Sequence, residues 1–236
     1  MQKGSGIDGE FAVIATPIGN LGDGSLRVKE NLENCEILLV ESIRAARRLI
    51  SAWEIKNRPK MVKWSMGKDG AEPQKVAKWV RDGRRVGLIT DGGTPCVADP
   101  GYRLVRAVLE EGGRVVPIPG PSALGAAVSV SRWPVLPLAF WGFPPKGPGR
   151  VLNWLRRAQS FPGTSVFFVG PHRLARFMSA LKEMEAIDVQ AMGEMTKLYE
   201  RRHDGSPDEV LARLPDKPKG EWTILVRFPQ SRGGVK

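Results

Sequence analysis

The chain has 236 residues, 42% of them hydrophobic and 26% charged, enough to bury a core in one large domain or two small ones. Its 36 Lys and Arg against 25 Asp and Glu leave a net charge of +11, which favours a polyanionic partner such as nucleic acid or another phosphate-rich surface. No apolar run approaches the roughly 18 residues of a membrane span, and the N-terminus MQKGSGIDGE has no secretory pattern. Cys35 and Cys96 stand far apart without CxxC spacing or a nearby His, so a disulfide framework and a zinc site are both disfavoured and no metal is expected. The expectation is a soluble protein of a reducing cytoplasm.

FAVIAT (11–16) reads as a strand, followed by a helix over 24–33, the strand EILLV (36–40) and a helix over 42–52. A helix over 71–82 precedes the strand RVGLIT (85–90), and a helix over 99–111 precedes RVVPIP (114–119). Strands of β-branched residues with helices between them predict a parallel sheet in an α/β domain. Their continuous apolarity predicts that both sheet faces are covered. After PIPGPSA (117–123), a small-residue helix over 122–131 leads into LPLAFWGFPPKGPGR (136–150), whose Pro and Gly read as a loop. The strand TSVFFVG (164–170), a helix from about 172, DVQAMGEM (188–195), KLYERRH (197–203), a short helix over 206–213 and the strand EWTILVRF (221–228) follow. The close spacing of these last elements predicts a second, mixed sheet, with a division near 119–124 into domains 1–120 and 121–236.

Three strand-end segments carry the chemistry. ATPIGNLGD (15–23) concentrates turn formers after the first strand, but no Gly-Lys-Ser/Thr follows and no GxGxxG is present, which argues against a Walker nucleotide loop and a Rossmann site. Taken alone it is either an elaborate turn or a close backbone approach to a ligand. ITDGGTPCVADPG (89–101) ends a strand with Asp91, Gly92, Gly93, Thr94 and Pro95. In open α/β sheets, ligands sit beyond the carboxyl ends of the strands. Two glycines there remove Cβ atoms that would block a flat ligand, and Asp and Thr offer contacts for its hydroxyls. Asp99-Pro100 reads as a helix start. PIPGPSA again places Gly and Ser between strand and helix, with Ser122 also a candidate N-cap. Together the three describe a cleft.

ATPIGNLGD, LRVKENLENCEILLVES-R, TDGGTPCVADPGYRLVRA, PIPGPSA, GFPPK, GPHRL (170–174), EMTKLYE (194–200) and KGEW (219–222) occur in one order. In that series the chain resembles the ribosomal RNA small-subunit methyltransferase I family, 2′-O-ribose methyltransferases of the tetrapyrrole-methylase superfamily. The resemblance covers nearly the whole chain. It implies two α/β/α domains with S-adenosylmethionine between them, usually in a homodimer, acting on small-subunit rRNA. It also implies cofactor contacts at Gly93, Thr94, Pro95 and Val97, with Thr94 where relatives have Asp, at Ser122 and Ala123, and at Gly193 and Gly220. ATPIGNLGD is then the first active-cleft loop, with Pro17 toward the cofactor and Asn20 toward RNA. The sequence departs from the family at Glu41-Ser42-Ile43-Arg44, where Glu-Asp-Thr-Arg is usual, and at Val169-Gly170-Pro171-His172-Arg173, where Glu-Ser-Pro-His-Arg is usual. It departs again at WSMGKDG (64–70), in place of a His-Glu-His-Asn-like segment.

A ribose hydroxyl is a weak nucleophile, so a base or a cation favouring the alkoxide would help. Glu41, Asp91 and Glu194 are candidates to orient or deprotonate it, and Lys197 is the candidate cation; each is equally readable as a surface or capping charge. Arg44, Arg47, Arg48, Lys146, Arg150 and Arg173 are candidates for RNA contact, with Arg84/Arg85, Arg156/Arg157 and Arg201/Arg202 as further basic clusters. His172 is as readable as a backbone hydrogen-bonding partner as a catalytic group. Trp64, Trp133 and Trp141 are candidate stacking platforms or core residues. A small-substrate methylase of the same superfamily and a catalytically silent RNA-binding relative remain as alternatives.

Overall fold

A computed structural model describes residues 9–64 and 72–229. The chain divides into two compact units, Met1–Ser122 and Ala123–Lys236. The first unit alternates β1 (Glu10–Ile14), α1 (Leu26–Asn34), β2 (Ile37–Val40), α2 (Ile43–Ala52), β3 (Lys60–Lys63), α3 (Pro73–Arg81), β4 (Arg85–Ile89), α4 (Tyr102–Glu110) and β5 (Arg114–Ile118). The strands form one sheet in the order β3-β2-β4-β1-β5, parallel throughout.

Alternate side chains of these strands feed two cores. Phe11, Leu39, Val86 and Leu88 pack with Val76 and Val80 of α3 and Leu104 and Val108 of α4. Ile14, Leu38, Val40 and Ile89 pack on the other face with Val28 and Leu32 of α1 and with Ala46, Leu49 and Ile50 of α2. The near-continuous apolarity of β2 and β4 follows, because both faces are covered. Cys35 is buried in the second of these cores, and burial pushes its thiol up to about 12.

The second unit runs α5 (Ala123–Ser129), β6 (Leu138–Gly142), α6 (Pro148–Gln159), β7 (Thr164–Val169), α7 (Leu174–Glu183), β8 (Asp188–Gly193), β9 (Arg201–Gly205), α8 (Pro207–Arg213) and β10 (Trp222–Arg227). Its sheet has the order β6-β7-β10-β8-β9, with β6 and β7 parallel and the remaining pairs antiparallel. Phe167, Val169, Ile224 and Val226 face Leu155 of α6, Phe177 and Met178 of α7 and Val210 of α8. Val166, Met192 and Leu225 face Ala127 of α5 and Trp133. Ser206 starts α8 with a full capping box, its hydroxyl accepting from the Glu209 amide while the Glu209 carboxylate accepts from the Ser206 amide.

The structure departs from the sequence expectations in four stretches, one of them KLYERRH (197–203), whose first four residues form a turn ahead of β9. β3 is a four-residue edge strand with exposed ends, too short and too polar to carry a periodic signal. LPLAFWGFPPKGPGR, expected as a loop, contains β6 and the start of α6. Pro148 stands in the first turn of α6, where proline starts a helix rather than breaking one. Finally, α4 starts after Gly101 and not at Asp99-Pro100; Gly101 is its N-cap, at φ +141°. Of the WSMGKDG segment, Trp64 is buried, while residues 65–70 lie outside the described residues. No helix among the described residues is long and apolar enough to cross a membrane.

Candidate active site

In the first unit, three loops leave the carboxyl ends of β1, β4 and β5, and the chain ties them together. The Thr16 amide donates to the Gly93 carbonyl (2.8 Å) and the Gly93 amide to the Thr16 carbonyl (2.9 Å), a two-residue antiparallel bridge outside the main sheet. The Thr94 hydroxyl donates to the Pro121 carbonyl at 3.0 Å, which links the β4 loop to the β5 loop. Gly120 lies where a Cβ would come within 3.1 Å of the Ala15 Cβ, and at Gly92 a Cβ would come within 3.2 Å of the Pro17 carbonyl. Glycine therefore permits the close approach of three backbones, which answers why the turn formers concentrate here.

The loop after β4 is also strained. Gly93 stands at φ +86°, and Cys96 (φ +69°) and Ala98 (φ +63°) adopt left-handed backbone without being glycine. Such residues cost of order 1–3 kcal/mol each and cluster at ligand sites. The Thr90 hydroxyl at the head of the loop has no partner among the described residues and is buried.

The neighbouring strand end brings in a carboxylate. Glu41 Oε2 lies 3.5 Å from the Asp91 amide, a long hydrogen bond that joins the ends of β2 and β4. Glu41 is half-buried and Asp91 exposed. The next residue, Ser42, caps α2 by accepting from the Ala45 amide at 3.2 Å. Serine at this point of the Glu-Ser-Ile-Arg variant thus retains an N-cap. Arg44, Arg47 and Arg48 lie exposed along α2. Asn20 accepts from the Gly22 amide at 2.9 Å and caps a 3-10 turn over Leu21–Asp23. That turn is held by the Trp53 indole, which donates to the Leu21 carbonyl at 3.1 Å.

In the second unit, Gly193 ends β8 directly against the Trp222 ring, so the absence of its side chain serves core packing. Glu194 and Thr196 follow in left-handed backbone (φ +54° and +65°). The Lys197 ammonium pairs with Glu194 Oε1 at 2.8 Å, and a Cβ at Gly220 (φ +63°) would collide with that same carboxylate. Glu194, Lys197 and Gly220, expected separately, are therefore neighbours. Leu198 and Tyr199 stand exposed in the same loop.

Other expected residues have structural duties. Arg173 donates through both terminal guanidinium nitrogens to the carbonyls of Pro144 and Pro145, so it clamps the GFPPK loop. Trp133 is buried and donates to the Thr164 hydroxyl at 3.1 Å. Trp141 donates to the Ser165 hydroxyl at 3.0 Å and packs edge-on to Trp154. Burial removes Trp133 as a stacking platform, while Trp141 remains partly exposed. Lys146, Arg150 and His172 are exposed. The sequence reading missed the Thr16–Gly93 bridge and the Arg173 clamp, because contacts between distant residues leave no local pattern.

The chain matches the family model described as Tetrapyrrole (Corrin/Porphyrin) Methylases over residues 10–210. It is 38% identical to the ribosomal RNA small subunit methyltransferase I of Mesorhizobium japonicum, over 91% of this chain and 74% of that protein. The proteins of the same name are 35% identical in Leptospira biflexa (92% and 90% covered) and 32% identical in Thermotoga maritima (92% and 98% covered). Among solved structures, a Thermus thermophilus uroporphyrin-III-C-methyltransferase superposes with a TM-score of 0.63 at 17% identity, covering 92% of this chain and 94% of that one. A cobalt precorrin-4 methyltransferase superposes with a TM-score of 0.64 at 15% identity, covering 96% and 97%. These superpositions establish a shared fold.

Proposed function

Starting from the premise that the chain belongs to the ribosomal RNA small subunit methyltransferase I family of the tetrapyrrole methylases, whose members use S-adenosylmethionine, we propose that it methylates the 2′-hydroxyl of a cytidine ribose in the decoding region of small-subunit rRNA. The observation that carries this reading is the bridged set of strand-end loops, Thr16 to Gly93 and Thr94 to Pro121. The residues there fit the cofactor. In this reading the Gly92–Thr94 backbone, held by the Thr16 bridge, faces the cofactor. When bound, S-adenosylmethionine supplies an electrophilic methyl group on a sulfonium.

The chain's own residues then hold the acceptor and move its proton. In this reading Glu41, oriented by the Asp91 amide, accepts the proton of the ribose hydroxyl. Lys197, held by Glu194, presents a cation to the developing alkoxide. In this reading Pro17, Thr94, Pro95, Val97 and Ser122, all in the first unit, contact the cofactor; within the second unit Gly193 packs against Trp222 and Gly220 against Glu194. The exposed arginines of α2 track phosphates. The same reading carries a homodimer working in the cytoplasm, where ribosomal subunits are found.

Tritiated S-adenosylmethionine incubated with small ribosomal subunits from a strain lacking the enzyme tests the proposal. Label is expected in the rRNA and is expected to be lost with Lys197→Ala. Tight cofactor binding with no label in any rRNA would overturn it in favour of a small-molecule acceptor.

A further inference from the structure

The second unit carries a groove of about 440 Å³ that the proposed chemistry does not use. It lies within the range of small-ligand sites, roughly 300–1,000 Å³. Val151 and Leu152 of α6 and Phe177 of α7 give it an apolar floor, and Lys146, His172 and Arg176 stand at its rim. One wall is the 144–147 loop, which Arg173 fixes through the Pro144 and Pro145 carbonyls. Gly147 turns that loop into α6 at φ +95°, with the Arg150 Nε 3.6 Å from where its Cβ would be. Lys146 and Arg176 are exposed and form no ion pair among the described residues; Glu183 is the one carboxylate along the lining.

A cationic rim over an apolar floor suits a ligand with an anionic edge and a flat, weakly polar body. An acidic peptide would satisfy the rim and leave the floor wet, and an inorganic phosphate would do the same. An unpaired nucleotide fits both, its phosphate meeting the cations and its base covering the apolar side chains. We propose that this groove seats one unpaired nucleotide of the RNA substrate, its phosphate at Lys146 and Arg176 and its base over Val151 and Leu152. The inference rests on the reading that the acceptor is RNA.

The test uses the full chain and a short, fluorescently labelled, unpaired oligoribonucleotide, with anisotropy measured across a salt series. Lys146→Ala and Arg176→Ala are each expected to weaken binding several-fold and to lower the salt slope by about 0.7, the value for one lost single-strand phosphate contact. Melting temperature and S-adenosylmethionine affinity are expected to stay at wild-type values. An oligonucleotide with abasic positions is expected to bind wild-type protein more weakly. Wild-type affinity and slope in both variants would overturn the proposal, as would failure of the wild-type protein to bind the oligonucleotide. A change in oligomeric state of the variants by sedimentation would overturn it too, by assigning the groove to a second copy of the chain. Failure of the broader reading is distinguishable: rRNA would then take no label while the groove variants still lose oligonucleotide binding.

Discussion

Gly93 is held at φ +86° while both its amide and its carbonyl bond to Thr16. An alanine there keeps the bridge only by adopting a left-handed backbone that costs about 1–2 kcal/mol. Gly93→Ala is therefore expected to lower stability by about that amount and to reduce S-adenosylmethionine affinity by more than the stability loss alone explains, measured by calorimetry beside a denaturant titration. Equal affinity in the variant would remove Gly93 from the cofactor cradle. Arg173 makes a second residue-level case. Its guanidinium satisfies two loop carbonyls, and charged hydrogen bonds of this kind contribute about 1.5–3 kcal/mol each. Arg173→Ala is expected to destabilise the chain by about 2–3 kcal/mol, less than two such bonds would sum to because water reaches the half-buried site, and Arg173→Lys to restore little, since an ammonium lacks the fork that reaches both carbonyls. Chemical denaturation of the two variants checks this, and a fully stable Arg173→Ala protein would make the clamp incidental.

At the scale of elements, β9 places His203 flat against Trp222 (ring centroids 5.9 Å apart, planes 15° apart). The His203 Nε2 is buried without a partner among the described residues. Burial first, then the nearby Arg213 and Arg201, hold its imidazole below the ordinary value of 6.5. The unfolded chain then takes up a proton that the folded chain resists, so stability is full above pH 6.5 and declines as pH falls below it. Thermal melting from pH 7.5 to pH 5 is expected to show that decline, and His203→Gln to flatten it; parallel curves for the two proteins would contradict the assignment. The same scale shows what was legible. Strands β1, β2, β4, β7 and β10 announce themselves as apolar runs because sheet burial on both faces demands them. α6 was equally readable, with Val151, Leu155 and Ala158 at helical spacing, but the preceding Pro and Gly read as a loop. The β4 loop was legible because glycines at a strand end have few other uses. Its attachment to Pro121 was not, because a hydroxyl-to-carbonyl bond spanning 27 residues has no periodic signature.

Over the whole molecule, the proposed polyanionic acceptor, in keeping with the charge of +11, predicts binding that weakens steeply with salt. A small tetrapyrrole acceptor would show little salt dependence, so a binding isotherm repeated across ionic strength separates the two classes. The most direct test of the central claim is the chemical identity of the transferred methyl group. Small subunits labelled by the wild-type chain would be digested to nucleosides and resolved by mass spectrometry. The account predicts label in 2′-O-methylcytidine from a decoding-region position, abolished by Glu41→Ala and Lys197→Ala. Label on a base, or none in RNA from a protein that binds S-adenosylmethionine, would contradict it.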